Sequence, residues 1–238
     1  SRFIHNQIQA HQIGDDRMTQ PRGAGPSFTA QLDHVVIGAN DLARGTTWTE
    51  SRLGGVLDGG GKHTLMGTHN RLMRLAGGPY LEVISIDPDA PPPGRPRWFT
   101  LDQEQTKSRF AADPGALCWV VAVSDIETAV RQCGYDCGQI ITVTRGDLQW
   151  RLTIPEDGSL PAGGVLPSLI EWPEGVHPVA SLAETDIRLD TIHLAHPDPA
   201  HVKTCLDRLG LASITSVTSG DIAVAFSMQT SGTSLYID

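Results

Sequence analysis

Two side chains set inside apolar strands carry the clearest chemistry in this 238-residue chain: His34 in LDHVVIG and Glu82 in YLEVISI. In an extended strand His34, Val36 and Gly38 share one face and Val35 and Ile37 the other, while Glu82 is parted from Leu81 and Val83. Leaving such groups bare among apolar neighbours costs roughly 2–7 kcal/mol for a neutral polar group and more for a charge. His34 and Glu82 are therefore read as a metal-binding pair, as the polar lining of a metal-free ligand cavity, or as a structural pair. Thr68 and Asn70 of GTHN share a strand face close to His63 and His69, and either hydrogen-bond a ligand carbonyl or close a local turn. Gln149, Arg151 and Thr153 form a polar stripe opposite Trp150, Leu152 and Ile154. Facing a cavity, Arg151 would clamp a carboxylate through two parallel hydrogen bonds; facing water, the stripe belongs to an ordinary amphipathic strand. Trp98 and Phe99 of PPPGRPRWF either cover a cavity mouth or anchor their loop on the core. His193 and His196 read as surface or structural residues.

The elements that would position these residues recur. The apolar opening LDHVVIGANDL returns as LCWVVAVSDI at 117–126 and as DTIHLAHPDP at 190–199. Each is a short strand leading through an Asp into an amphipathic helix that stops at glycine. In the first unit, 32–87, Asp41 caps a helix to about Leu53 with Gly54-Gly55 as its stop. Strands follow over Thr64–Leu75 and Tyr80–Ile86, with a further one unassigned between Gly55 and His63. In the second, 116–172, Ser124 with Glu127 reads as a capping box, Ile126, Ala129, Val130 and Cys133 as the buried helix face, and Gly134 as its end. Strands are expected near 139–144, 148–154 and 166–172. The near-equal lengths and matching caps point to a duplication. The third, shorter unit from Leu189 has Asp198 as cap, Pro199 in the first turn, a buried face of Val202, Cys205, Leu206 and Leu209, and Gly210 as stop. Its strands are expected near 212–218, 221–228 and 233–237. The intervening 88–115 is too long for a structureless loop and is expected to turn helical around Gln103–Ala111.

Composition sets the outer bounds. With 39% hydrophobic and 19% charged residues the chain is globular, and its 25 Gly and 16 Pro imply many turns. A net charge of −9 without a basic run excludes nucleic acid and anionic membranes as partners and favours a small-molecule ligand. No apolar stretch is long enough to span a bilayer. Cys118, Cys133, Cys137 and Cys205 lack metal spacing and read as buried free thiols, which with the lack of a leader signal points to a cytoplasmic address. Residues 1–30 read as a flexible N-terminal tail, with His5 and His11 solvated, Met18 as the possible true start and 1–17 as upstream carry-over. No GxGxxG, GxxxxGK, GxSxG or HExxH occurs, so no nucleotide cofactor or serine-hydrolase chemistry is expected.

DHVVIGANDL, a later GTHN and YLEV together resemble the glyoxalase-like branch of the vicinal-oxygen-chelate superfamily, closely over 32–172 and loosely over 189–238. The resemblance implies an α+β fold in which paired βαβββ modules, here 31–178, form a curved mixed sheet cup, with the shorter βαβ-type unit, 186–238, packed against it. It implies a metal on the cup floor held by the first and last strands of each module. Matching motif to motif, these positions are His34 and Glu82 in the first module, and Cys118 and the Glu171 of LIEW in the second. Members with metal chemistry usually have His where Cys118 stands. Imidazole with two carboxylates suits Fe, Mn, Ni or Zn, and a thiolate shifts preference towards Zn. The implied activity is that of a metal-dependent lyase, isomerase or dioxygenase on a small carbonyl or vicinal-oxygen substrate. His34, Glu82 and Glu171 would hold the metal, Glu171 or Glu82 would act as base, and Thr68, Asn70, Arg151 and Trp98 would bind substrate. The alternative is a metal-free protein that sequesters a small molecule in the same cup. Superfamily cups are often completed by a homodimer partner, but two modules in one chain can close a site alone.

Overall fold

A computed structural model describes residues 27–238, so the readings for His5, His11 and Met18, and for most of the 1–30 tail, lie outside the described residues. The first module runs β1 (Ala30–Gly38), α1 (Leu42–Leu53), β2 (Gly59–His63), β3 (Thr68–Arg74) and β4 (Tyr80–Ile86). A connecting helix, α2 (Glu104–Ala112), leads to the second: β5 (Gly115–Val123), α3 (Ile126–Gln132), β6 (Gln139–Arg145), β7 (Leu148–Ile154) and β8 (Ser168–Glu171). The third unit comprises β9 (Arg188–His196), α4 (Pro199–Leu209), β10 (Thr215–Ser219), β11 (Ala223–Thr230) and β12 (Thr233–Ile237). Among the described residues no helix is long and apolar enough to cross a membrane, and all four cysteines are buried and unpaired.

Local chemistry accounts for the boundaries. The Asp41 carboxylate accepts from the Arg44 amide at 2.7 Å, and Gly54, at φ +73°, closes α1. Asp198 and Gly210 bracket α4 in the same way. Two boundaries differ from the sequence reading. Asp125, not Ser124, caps α3 by accepting from the Thr128 amide, while the Ser124 hydroxyl accepts from the Thr29 amide. The expected single strand over Thr64–Leu75 is interrupted, because the Met66 and Gly67 amides both fold back to the His63 carbonyl. That turn separates β2 from β3.

Eight strands form one curved sheet in the order β2-β3-β4-β1-β5-β8-β7-β6, nearly closed, with Gly61 of edge strand β2 close to Arg145 of edge strand β6. β1 and β5 run antiparallel at its centre, with His34 opposite Val120 and Val36 opposite Cys118. This pairing maps onto itself when His34 is exchanged for Cys118 and Val36 for Val120, as a pseudo-twofold axis requires. The concave face carries Val36, Ile84, Val120, Trp150, Leu152 and Ile170, capped by Trp98, Phe99 and Phe110. The convex face, with Val35, Ile37, Trp119 and Val121, shares one core with Ile192, Leu194 and Phe226 of the second, four-stranded sheet. That sheet is paired differently from the modules. β9 lies parallel to the strand immediately after its helix, β10, whereas β1 and β5 lie parallel to the last strand of their modules, β4 and β8. The third unit therefore repeats the order of elements but not their pairing, and it buttresses the cup from outside.

Candidate functional site

The centre of the cup is built around a backbone irregularity. The β1–β5 register shifts between Leu32 and His34, so Asp33 has no partner and the strand bulges there. The bulge breaks the alternation of faces and lets the adjacent Asp33 and His34 side chains meet, with Asp33 Oδ2 2.7 Å from His34 Nδ1. The other ring nitrogen, Nε2, lies 3.3 Å from Glu82 Oε2. Tyr80 stacks on the imidazole with centroids 4.5 Å apart. Asp33 Oδ1 accepts from Trp172 Nε1 at 3.0 Å and from His177 Nε2 at 2.8 Å. His177 accepts from the Val179 amide at Nδ1, so the hydrogen it gives Asp33 sits on Nε2.

Each member of this chain has its charge state set by its partners. Burial alone would lower the His34 pKa, but the hydrogen bonds to Asp33 and Glu82 outweigh it and lift it to about 9, making an imidazolium at neutral pH. Burial alone would raise the two carboxyls. Hydrogen bonds from His177 and His34 nevertheless hold Asp33 far below the usual range, and His34 with Asn70 holds Glu82 below its own.

Around this chain lies a second polar set. Asn70 Nδ2 donates to Glu82 Oε1 at 2.6 Å and approaches His63 Nε2 at 3.4 Å. His63 Nδ1 stands 3.0 Å from the Thr68 hydroxyl. Burial pushes His63 down to about 4, so this ring is neutral, accepting at Nε2 and donating from Nδ1. Asn70 Oδ1 accepts from the Gly61 amide and from Arg145 Nη1, both at 3.0 Å, which fixes the orientation of the amide. His34, His63, Asn70, Glu82, Arg145 and the indoles of Trp98, Trp150 and Trp172 wall a cavity of about 30 Å³, room for one or two waters. Trp98 and Phe99 roof it. They are held by the Thr100 amide donating to the Gly158 carbonyl and by Arg97 on Asp102, with Phe99 and Thr100 in the left-handed region at φ +58°.

Thus His34, Glu82, Thr68, Asn70 and Trp98 are brought together, and Glu171 and Arg151 are not. The parallel registers pair Val36 with Glu82 and Val120 with Ser168, so Ser168, not Glu171, occupies the counterpart of the Glu82 position. Three residues further along a period-two strand, Glu171 faces the convex side, where it accepts from the Ile126 amide at the start of α3 and from Arg151. Arg151 also pairs with Glu127. Asp125, Glu127 and Glu171 come close enough to share a cation, and the Arg151 guanidinium is already seated on two of them.

The donors around His34 do not fit a divalent metal. The second module offers Cys118 and Ser168 in place of an imidazole and a carboxylate. Both His34 nitrogens are engaged by carboxylates, and the Asn70 amide bridges Glu82 and His63. Asp33, His177 and Arg145 were not singled out by sequence. A bulge, a residue beyond the last strand, and a strand end beside a hairpin turn leave no periodic trace. Of the aromatic wall, Trp98 reads in the sequence as a cover for a cavity mouth, whereas Trp150 and the Trp172 of LIEW have no part in the site there.

Comparison with known proteins agrees with this architecture. The chain resembles the solved structure of a hypothetical protein from Staphylococcus aureus, at 12% identity over 87% of this chain and 98% of that one, with a TM-score of 0.57. It is more distantly similar to methylmalonyl-CoA epimerase from Mycobacterium tuberculosis, at 22% identity over 60% and 87% of the two chains and a TM-score of 0.39. It has a likeness of the same order to the Streptomyces coelicolor epimerase in complex with 2-nitronate-propionyl-CoA, at 16% identity over 61% and 99%, again at 0.39. A comparison with the curated proteins finds no match. The model of the glyoxalase-like domain matches residues 32–210, and the chain belongs to that family.

Proposed function

We propose that the cup is an active site for proton transfer next to the carbonyl of a small substrate, in the manner of an isomerase or lyase, with Glu82 and His34 as the catalytic residues. The observation that carries this is the buried chain Asp33–His34–Glu82 at the wall of the cavity, with a proton donor and an acceptor 3.3 Å apart. A substrate carbonyl at this pair accepts a proton from the His34 imidazolium while Glu82 takes one from the adjacent carbon. The pair passes from oppositely charged to neutral, and the enol forms without net charge appearing in a desolvated cavity. Return of a proton to carbon regenerates the ion pair. Asp33 is a positioning residue, orienting the imidazole and favouring its charged form, and Asn70 holds the Glu82 carboxylate in place.

The test is incorporation of deuterium from heavy water at the carbon next to the carbonyl of simple 2-oxo acids, followed by proton NMR. Exchange faster than buffer, reduced about 10²–10⁴-fold in Glu82→Gln and His34→Asn, supports the reading. Exchange that is absent, or equal in both variants and the parent, refutes it.

A further inference from the structure

We infer that the substrate of this site carries a carboxylate, and that Arg145 is the residue that binds it; this deepens, and rests on, the proton-transfer reading. Arg145 ends β6 at the seam where the two edge strands of the cup approach. It is common to the walls of the inner cavity and of an outer pocket of about 570 Å³ bounded by Asp58, Gly60, Lys62 and Leu182. The guanidinium thus stands between solvent and the catalytic pair.

Its setting leaves it open to a ligand. Among the described residues its one side-chain hydrogen bond goes to Asn70 Oδ1, and no carboxylate pairs with it. A guanidinium has five N–H donors in a planar fork, so four remain, enough for a two-point grip on a carboxylate. Of the other charges at the pocket, Lys62 pairs with Asp87 at 2.8 Å, while Asp58 accepts from the Ala183 amide and keeps its negative charge at the outer rim, away from the inner cavity. Room for the arginine comes from Gly61, where a Cβ would stand 3.0 Å from Arg145 Cδ. A second feature independently calls for an acceptor. The indole N–H of Trp98, a wall of the same cavity, is buried without a partner. An unfilled fork and an orphaned donor at the wall of one cavity describe the acid end of a 2-oxo acid. Its keto oxygen then reaches towards His34, and the carbon next to the keto group towards Glu82.

The experiment is isothermal titration of the full chain with pyruvate and with phenylpyruvate, each beside its methyl ester, for the parent, Arg145→Met and Arg145→Lys. At least one acid is expected to bind roughly ten- to a hundredfold more tightly than its ester. Arg145→Met is expected to abolish that preference, and Arg145→Lys, which keeps the charge but not the fork, to retain part of it. Esters that match the acids, an acid preference that survives in Arg145→Met, or no binding of either acid overturns the inference. If Arg145→Met does not fold, a full preference in Arg145→Lys refutes the two-point grip. The two readings fail separately. Arg145-dependent binding without deuterium exchange refutes proton transfer and leaves carboxylate recognition, whereas exchange as fast on the esters as on the acids does the reverse.

Discussion

Replacing His34 by Asn removes the cation between two buried carboxylates, and the structure sets both the size and the pH dependence of the result. The pKa of His34 rises on folding from 6.5 to about 9, and at about 1.4 kcal/mol per unit the folded state gains about 3 kcal/mol from holding that proton. A raised pKa means that this contribution is complete below the unfolded value, near pH 6.5, and is lost as pH climbs through 9. Asp33 and Glu82 are depressed, so their share is present above about pH 4 and lost below it. The stability gap between parent and His34→Asn is therefore widest between about pH 5 and 6.5 and narrows towards pH 9.5. For a chain of this size about 3 kcal/mol corresponds to roughly 6–12 °C in Tm. Calorimetric melting across that range separates the ionic part, which varies with pH, from the packing lost with the ring stacked on Tyr80, which does not. A gap that stays constant with pH, or widens as pH rises, refutes the imidazolium.

Glu171→Gln and Arg151→Met, on the convex side, are expected to cost no more than about 1 kcal/mol each in thermal melts and to leave deuterium exchange intact; a loss of exchange as large as that in Glu82→Gln would return Glu171 to the site. Trp98→Ala removes the roof of the cavity and is expected to cost about 3–5 kcal/mol in denaturant unfolding while raising the affinity for bulkier 2-oxo acids over pyruvate; unchanged stability would show that the indole is not packed as described. Exhaustive dialysis against a chelator is expected to leave Tm and exchange unchanged, with less than about a tenth of an equivalent of divalent metal in the purified protein, since a bound ion would stabilise by mass action; a drop in Tm that zinc or manganese restores would refute the donor-set argument.

What was legible in the sequence followed from periodicity. His34 and Glu82 interrupt apolar runs at cup-facing positions, and strict alternation was enough to place them. The same rule, applied to the register of the second module, would have set Glu171 aside, because Glu171 and Trp172 must face opposite ways and the tryptophan lies against Trp150 in the aromatic wall. Matching YLEV to LIEW erred because the repeats do not align without gaps. Asp41 and Asp125 fix one offset between the modules, whereas Glu82 and Ser168 stand two residues further apart than that offset allows. A bulge hid Asp33, since moving one side chain to the other face leaves the composition of the strand unchanged, whereas His177 and Arg145 lie beyond a strand and at a strand end, where periodicity says nothing.

The duplication itself explains why one module carries the charges. Positions related by the pseudo-twofold lie close together across the central β1–β5 pair, so an imidazole and a carboxylate from both modules would crowd four titratable groups onto the cup floor. Without a metal to neutralise them, two carboxylates and two imidazoles at that distance would repel or pair among themselves and leave nothing facing the cavity. Cys118 and Ser168 resolve this by being small and uncharged at the floor, and Asp33 serves as the second carboxylate from behind the imidazole. The polar half of the cup is then a linear chain, carboxylate–imidazolium–carboxylate, with one end exposed to the cavity. The second module closes the other half with Trp150, Leu152, Ile170 and Trp172 and contributes a single cation, Arg145, at the seam. If the proton-transfer pair on one module and the anion anchor on the other act as proposed, that separation would orient an asymmetric substrate with its acid end towards β6 and its reacting carbon towards β1 and β4.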